Sequence, residues 1–229
     1  MFRKGISLCF ILVLFSNLRS QNTHTICGTC GDFDLFKITF NENMEALTAK
    51  ADPFTTVFVN DACEEKNAGE RTKKDQVCGF KYSIYTKEIE KPFLSVSGKF
   101  KFENLYLLTN AEKMPAAYNA ASYFTGEEKD FLALIEAISK KFNAKPEHKT
   151  LLMDGSLVYQ WNTSAYTVQV SRSKEKLQRE SRSNGKVKTE NYYYTTLSVL
   201  QNSRLDPKIK EIIRHSENFV IYKDKDFAK

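Results

Sequence analysis

The distribution of strand-like segments around one amphipathic segment constrains the fold of this chain more than any other feature. Residues 127–142 carry a stripe of large apolar side chains spaced by three or four positions, which is typical of a helix buried on one face. The members of this stripe are Phe131, Leu134, Ile135, Ile138 and Phe142. Thr125 and Glu128 form a capping box before the stripe, and Pro146 prevents its continuation. The sequence therefore predicts a helix over residues 127–142.

Segments with the composition of β-strands lie on both sides of this helix. They are rich in β-branched and aromatic residues or alternate between polar and apolar residues. The predicted strands cover residues 35–40, 54–59, 80–84, 96–102, 105–109, 156–161, 165–171, 192–200 and 219–222. A two-residue hairpin turn is predicted at Glu103-Asn104. Further helices are predicted over residues 41–50, within residues 115–123 and from Pro207 onward, with Asp206 as the N-cap of the last.

This order favours an α+β fold, because the predicted strands come in runs and do not alternate with helices. We expect an antiparallel sheet, or sheets, with a long amphipathic helix packed on one face. Residues 21–229 are expected to form a single α+β domain. The same order allows two sub-sheets, in residues 21–110 and 151–229, bridged by helices in residues 111–150.

The first twenty residues have the three-part layout of a secretory signal peptide. Arg3 and Lys4 give a positive start, residues 6–15 form an almost unbroken apolar run, and a polar segment follows. A helix needs about 20 apolar residues to cross a bilayer, so an uncleaved membrane anchor is the weaker alternative. We expect cleavage after Ser20, no membrane span in the mature chain, and a secreted or periplasmic location.

Composition and charge exclude several classes of protein. The chain has 229 residues, of which 41% are hydrophobic and 27% charged, and this excludes collagen-like and wholly disordered proteins. Signal cleavage would remove three basic residues and lower the formal net charge from +6 to +3. A basic excess this mild does not indicate a specific nucleic-acid partner.

Four cysteines remain after cleavage: Cys27, Cys30, Cys63 and Cys78. An even number of cysteines in an exported chain is typical of disulfides, here two. Pairing within Cys27-Cys30 and within Cys63-Cys78 is one possibility, and crossed pairing is the other. A bond between Cys63 and Cys78 would close a polar segment and stabilise the fold by about 3 kcal/mol in the chain-entropy model.

The Cys27-Gly28-Thr29-Cys30 motif also has a chemical interpretation. Two thiols at this spacing form a redox couple when a helix N-terminus lowers the pKa of the first. Residues 32–36 do not have the pattern of an amphipathic helix, and no strand of useful length precedes the motif, so a structural disulfide is the favoured interpretation. A zinc site made of all four thiolates is a further alternative, but Cys63 and Cys78 lack the usual ligand spacing.

The sequence offers no other sign of catalysis. Its three histidines, His24, His148 and His215, show no metal-ligand spacing. Nucleophile-elbow, P-loop and dinucleotide-binding motifs are absent from the sequence. We therefore predict no catalytic residues, no metal and no cofactor, and an enzyme is not favoured.

The most distinctive polar feature is the basic segment 172–188, which lies in a predicted hairpin with its turn at Asn184-Gly185. In that register Val170 faces Val199. The candidate ligand-binding residues are Arg172, Lys174, Lys176, Arg179 and Tyr193, because cationic groups next to aromatic rings hold anionic polymers or surfaces. The alternative is a solvated arm whose basic residues protect its edge from aggregation.

Together these features favour an exported, non-catalytic binding or structural protein of the cell envelope or extracellular space. One alternative is a thiol–disulfide redox protein that uses Cys27 and Cys30. Another is a module that binds an anionic polymer, an anionic surface or a partner protein through the hairpin 172–188.

Overall fold

The computed structural model describes residues 25–86, 92–124, 128–152, 155–180 and 187–219. Strands dominate these residues. They are β1 (Phe33–Asp34), β2 (Phe54–Val59), β3 (Glu64–Asn67), β4 (Val77–Tyr85), β5 (Leu94–Val96), β6 (Phe100–Phe102), β7 (Asn104–Asn110), β8 (Pro115–Phe124), β9 (His148–Leu151), β10 (Leu157–Asn162), β11 (Tyr166–Glu180) and β12 (Val187–Gln201).

The helices are few. They are α1 (Met44–Thr48), α2 (Glu128–Phe142) and α3 (Pro207–His215), and short 3₁₀ turns cover Leu35–Lys37, Ala68–Glu70 and Asn202–Arg204. In α3 the carboxylate of Asp206 accepts a hydrogen bond from the backbone N–H of Ile209 at 2.8 Å, and Pro207 occupies the first turn. The predicted cap of this helix is therefore confirmed.

The predicted α+β fold class is wrong, because the protein is mostly β. Nine strands form one antiparallel sheet in the order β3-β2-β4-β7-β8-β12-β11-β10-β9, and β1, β5 and β6 form a second sheet. Among the described residues only two helices have seven residues or more. The predicted long helix that covers one face of the sheet is absent from the described residues. The 15-residue helix α2 packs in the larger apolar cluster together with the smaller sheet and the N-terminal segment.

Strand β8 is the main reason for this difference. Residues 115–123 were expected to contain a helix, yet they form a central strand between β7 and β12. The alanines of β8 are fully buried: Ala116, Ala117, Ala120 and Ala121. Tertiary packing on both faces of the sheet thus outweighs the helix propensity of alanine.

Two other local predictions are wrong. Residues 35–40 are not a strand: the Asp34 carboxylate accepts a hydrogen bond from Phe36 N at 3.1 Å and caps a 3₁₀ turn. Residues 96–102 contain a turn, because Ser97 and Gly98 both have positive φ, the combination of a type I′ hairpin. Strand β6 consequently pairs with β5, and Glu103-Asn104 does not join a hairpin.

The hairpin β11–β12 has a register two residues from the predicted one, since Val168 faces Val199. Side chains alternate with a period of two, so a two-residue slip leaves the buried face unchanged. Val168, Val170, Leu197 and Val199 accordingly share one buried face. The predicted turn at Asn184-Gly185 and the predicted cap Thr125 lie outside the described residues, as do residues 220–222 of the predicted last strand.

The apolar side chains form two clusters. The larger one contains Trp161 and the buried stripe of α2. The smaller one contains Ile209, Ile212 and Ile213 of α3, which lie with Cys63 and Cys78 among its buried residues. Strand β2 matches the predicted residues 54–59, and α3 lies against the next two strands of the large sheet, β4 and β7.

Candidate functional sites

Strands β11 and β12 remain paired beyond the ends of both neighbouring strands. β10 pairs with β11 only from Thr167 to Arg172, and β8 pairs with β12 only from Tyr193 to Leu200. Residues 173–180 and 187–192 therefore form a two-stranded ribbon, about 25 Å long at the usual rise per residue. Within the described part of the chain, this ribbon pairs with no further strand of the sheet.

Arg172 and Tyr193 contact each other at the base of the ribbon. The guanidinium carbon of Arg172 lies 3.6 Å from the ring centroid of Tyr193 and 5.1 Å from that of Phe131 on α2. Both distances allow cation–π attraction. These two predicted ligand-binding residues are half-buried, and they connect the base of the ribbon to the helix.

The remaining basic residues are distributed along the ribbon. Lys174 is exposed and faces Tyr193 across the strands. Successive residues of a strand alternate between its two faces, so Lys176 shares a face of β11 with Arg172 and Lys174. Arg179 lies three positions after Lys176 and therefore belongs to the opposite face. Lys149 on β9, which the sequence did not single out, lies with its ammonium 5.4 Å from the ring centroid of Tyr159.

The cysteine motif forms a disulfide between Cys27 and Cys30, which is one of the two pairings that the sequence left open. Cys27 is buried and Cys30 is exposed. The motif occupies a turn, and among the described residues the first α-helix begins only at Met44. The arrangement thus lacks the adjacent helix N-terminus that lowers the pKa of a reactive thiol.

Cys63 and Cys78 are buried and unbonded. The Cys78 thiol donates a hydrogen bond to the carbonyl oxygen of Asn60 at 2.9 Å. Burial, together with the neighbouring Cys78 thiol, raises the pKa of Cys63 to about 12. Cys63 is therefore a neutral, unreactive thiol near pH 7. The second disulfide stays a prediction.

In the ranges that the structure describes, no group of three or more His, Cys, Asp or Glu side chains is arranged to hold a metal ion. His215 lies 2.8 Å from Glu211 in an exposed pair on α3, and His24 lies outside these ranges. No described helix has both the length and the apolar character needed to cross a membrane.

An aromatic cavity of about 440 Å³ lies at the C-terminal end of α2. Its walls come from the segment after β1, from β8, α2 and β12, and from the turn between β10 and β11. The lining residues are Phe36, Ile38, Thr39, Phe40, Tyr118, Lys141, Phe142, Thr163, Ser164, Ala165, Tyr166 and Val199. No sequence pattern indicated this cavity, because its lining residues are spread over five segments that share no motif.

No protein-family model, no curated protein and no solved structure matches this chain.

Proposed function

We propose that the protein is an exported, non-catalytic binding protein that holds an anionic polymer through the ribbon. The observation that carries this proposal is the ribbon itself, which extends beyond its sheet neighbours and carries basic residues. Within the described residues no further strand pairs with this element, and basic groups gathered on one element raise the local concentration of an anionic partner.

The base of the ribbon supports the proposal. Alternate residues of a strand are about 6.6 Å apart, so positions 172, 174 and 176 place three basic residues in one line. Arg172 is held between two rings and fixes the start of this line. The exposed Lys174 follows directly beyond it.

Export is supported by the charged start and short apolar run of residues 1–20 and by the Cys27–Cys30 disulfide. The mature protein would then be a cell-envelope or extracellular protein. Recovery of the intact full-length chain from the cytosol, with every cysteine reduced, would contradict this part of the proposal.

Replacing Lys174, Lys176 and Arg179 with serine is expected to weaken binding to heparin and to reduce its salt dependence. Two of the three removed charges lie in line with Arg172, and each lost ionic contact releases one counterion fewer. The slope of log affinity against log salt should therefore become shallower by about 2. Retention on immobilised heparin at two salt concentrations measures this change.

The matched control changes Arg71, Lys73 and Lys74 to serine, since these exposed residues carry the same charges far from the ribbon. The control should keep the slope of the unmodified protein. Equal losses in both variants would show that only net charge matters, and no loss in the ribbon variant would reject the ribbon as the binding element.

The redox alternative leads to a different expectation. If Cys27 and Cys30 form a structural disulfide, the protein should accelerate the reduction of insulin by dithiothreitol no more than its Cys27→Ser/Cys30→Ser variant does. The exposed Cys30 makes this comparison necessary. Turnover that disappears in the double variant would establish the redox function in place of the structural one.

A further inference from the structure

The aromatic cavity is lined by a chain of rings in mutual contact. The Phe40 ring centroid lies 5.8 Å from that of Tyr118 and 5.9 Å from that of Tyr166, and Tyr166 lies 5.4 Å from Phe142. The last pair is edge-to-face, and Phe142 makes a second edge contact with Phe36. Walls that offer both edges and faces suit a flat ring as occupant. The volume is also within the range of small-molecule sites.

Phe40, one of the residues that line the cavity, has an unusual backbone conformation. Phe40 has φ of 68°, a left-handed value that bulky residues rarely adopt. The preceding residue is fixed, because the Glu42 carboxylate accepts hydrogen bonds from the N–H and the hydroxyl of Thr39 at 2.6 and 2.8 Å. Strained positions of this kind cluster at ligand sites, where surrounding contacts hold them. The cavity is thus shaped before any ligand arrives.

One lysine gives the cavity a positive charge. Among the described residues that line it, Lys141 alone carries a formal charge. Its ammonium donates to the carbonyl oxygen of Phe36 at 2.7 Å and lies 5.8 Å from the Phe36 ring centroid. An ammonium has three donors, so two remain for an incoming acceptor. A carboxylate is the acceptor that binds most strongly to such a group.

A second polar group lines the same cavity. The side chain of Tyr118 is 1% exposed and is among the residues that line the cavity. Burial raises the pKa of Tyr118, so the phenol stays protonated and can donate. The phenol thus adds an O–H donor to the cavity beside the Lys141 ammonium.

We propose that this cavity binds a small organic acid that contains a six-membered ring, with the carboxylate on Lys141 and the ring packed against Phe40, Tyr166 and Phe142. Such acids come from two sources, aromatic acids and sugar acids. Both present a flat or ring-shaped body next to one negative charge. The aromatic walls and the single cation match these two parts. This site is separate from the ribbon and does not depend on the function proposed for it.

Isothermal titration calorimetry with 4-hydroxyphenylacetate and with D-glucuronate tests the proposal. At least one of the two acids should bind, and its uncharged counterpart, 4-hydroxyphenylacetamide or D-glucose, should bind at least tenfold more weakly. Binding of the aromatic acid alone identifies an aromatic ligand, and binding of glucuronate alone identifies a sugar acid. Failure of both acids to bind at millimolar concentration would overturn the proposal.

The variant Lys141→Met keeps the aliphatic length of the side chain and removes its charge. It should weaken binding of the acid at least tenfold and leave the weak binding of the uncharged counterpart unchanged. The control is Lys140→Met, because Lys140 is the neighbouring cation on α2 and is not among the residues that line this cavity. Unchanged affinity in Lys141→Met, or equal losses in both variants, would reject the assignment. Circular dichroism of each variant verifies that it is folded.

Discussion

Replacing Trp161 with alanine should lower the free energy of unfolding by about 4 kcal/mol, the range for large aromatic truncations in a core. Trp161 is fully buried and belongs to the larger apolar cluster. Its indole N–H donates to the Ser139 hydroxyl at 3.1 Å, and that hydroxyl donates to the carbonyl oxygen of Ile135. The substitution therefore removes a large buried ring and a hydrogen bond between the sheet and α2 and leaves a cavity.

The measurement is urea unfolding followed by far-ultraviolet circular dichroism, since the variant has no tryptophan to report by fluorescence. Leu132→Ala is the control, because Leu132 lies on the same helix and is 51% exposed. The control should change stability by no more than about 0.5 kcal/mol. Similar losses in both variants would contradict the packing of Trp161 against α2.

Replacing Gly79 with alanine should destabilise the fold by about 2–3 kcal/mol through overpacking. Gly79 lies in β4, between β2 and β7 and beneath α3. A methyl group there would overlap the carbonyl oxygen of Thr109 and approach Ile212 Cδ1 to 3.2 Å. The carbonyl belongs to a central strand and cannot retreat without moving β7. The substitution should therefore loosen α3 from the sheet as well.

Gly69→Ala is the matched control, because an added methyl group there would meet no atom within 4 Å. It should leave stability unchanged or raise it by about 0.5 kcal/mol, since alanine restricts the unfolded chain. Thermal unfolding by calorimetry compares the two variants. A Gly79→Ala protein as stable as the control would contradict the close approach of the Thr109 carbonyl in β7 to Gly79.

The sequence predicted those elements whose signals are local. Asp206 and Pro207 mark the start of α3 because a cap depends on neighbouring residues. β8 could not be predicted in this way, since Ala120 and Ala121 suit the middle of a sheet only when two specific strands flank them. The number of strands in the sheet was therefore underestimated, and with it the β character of the fold.

The candidate sites likewise differ in whether they have a local sequence signal or depend on tertiary contacts. Basic composition was enough to name Arg172 and Lys174 as candidates, and the even cysteine count was enough to predict disulfides but not to choose the Cys27–Cys30 pairing. The contact of Arg172 with Phe131 joins residues about forty positions apart and has no local signal. The aromatic cavity also has no local sequence signal, because Phe40, Tyr118 and Tyr166 meet only after β8 and β11 have both paired with β12.

The central position of β8 affects the order in which the chain can fold. Its pairing with β12 is the one ladder, in the ranges described, that joins strands preceding α2 to strands following it. Leu108 and Ala117 are covered by residues of α3, which begins at Pro207. During synthesis or translocation, these apolar surfaces of the early strands therefore stay exposed to solvent until about ninety further residues have emerged. Any partner that protects the nascent chain would act during this interval.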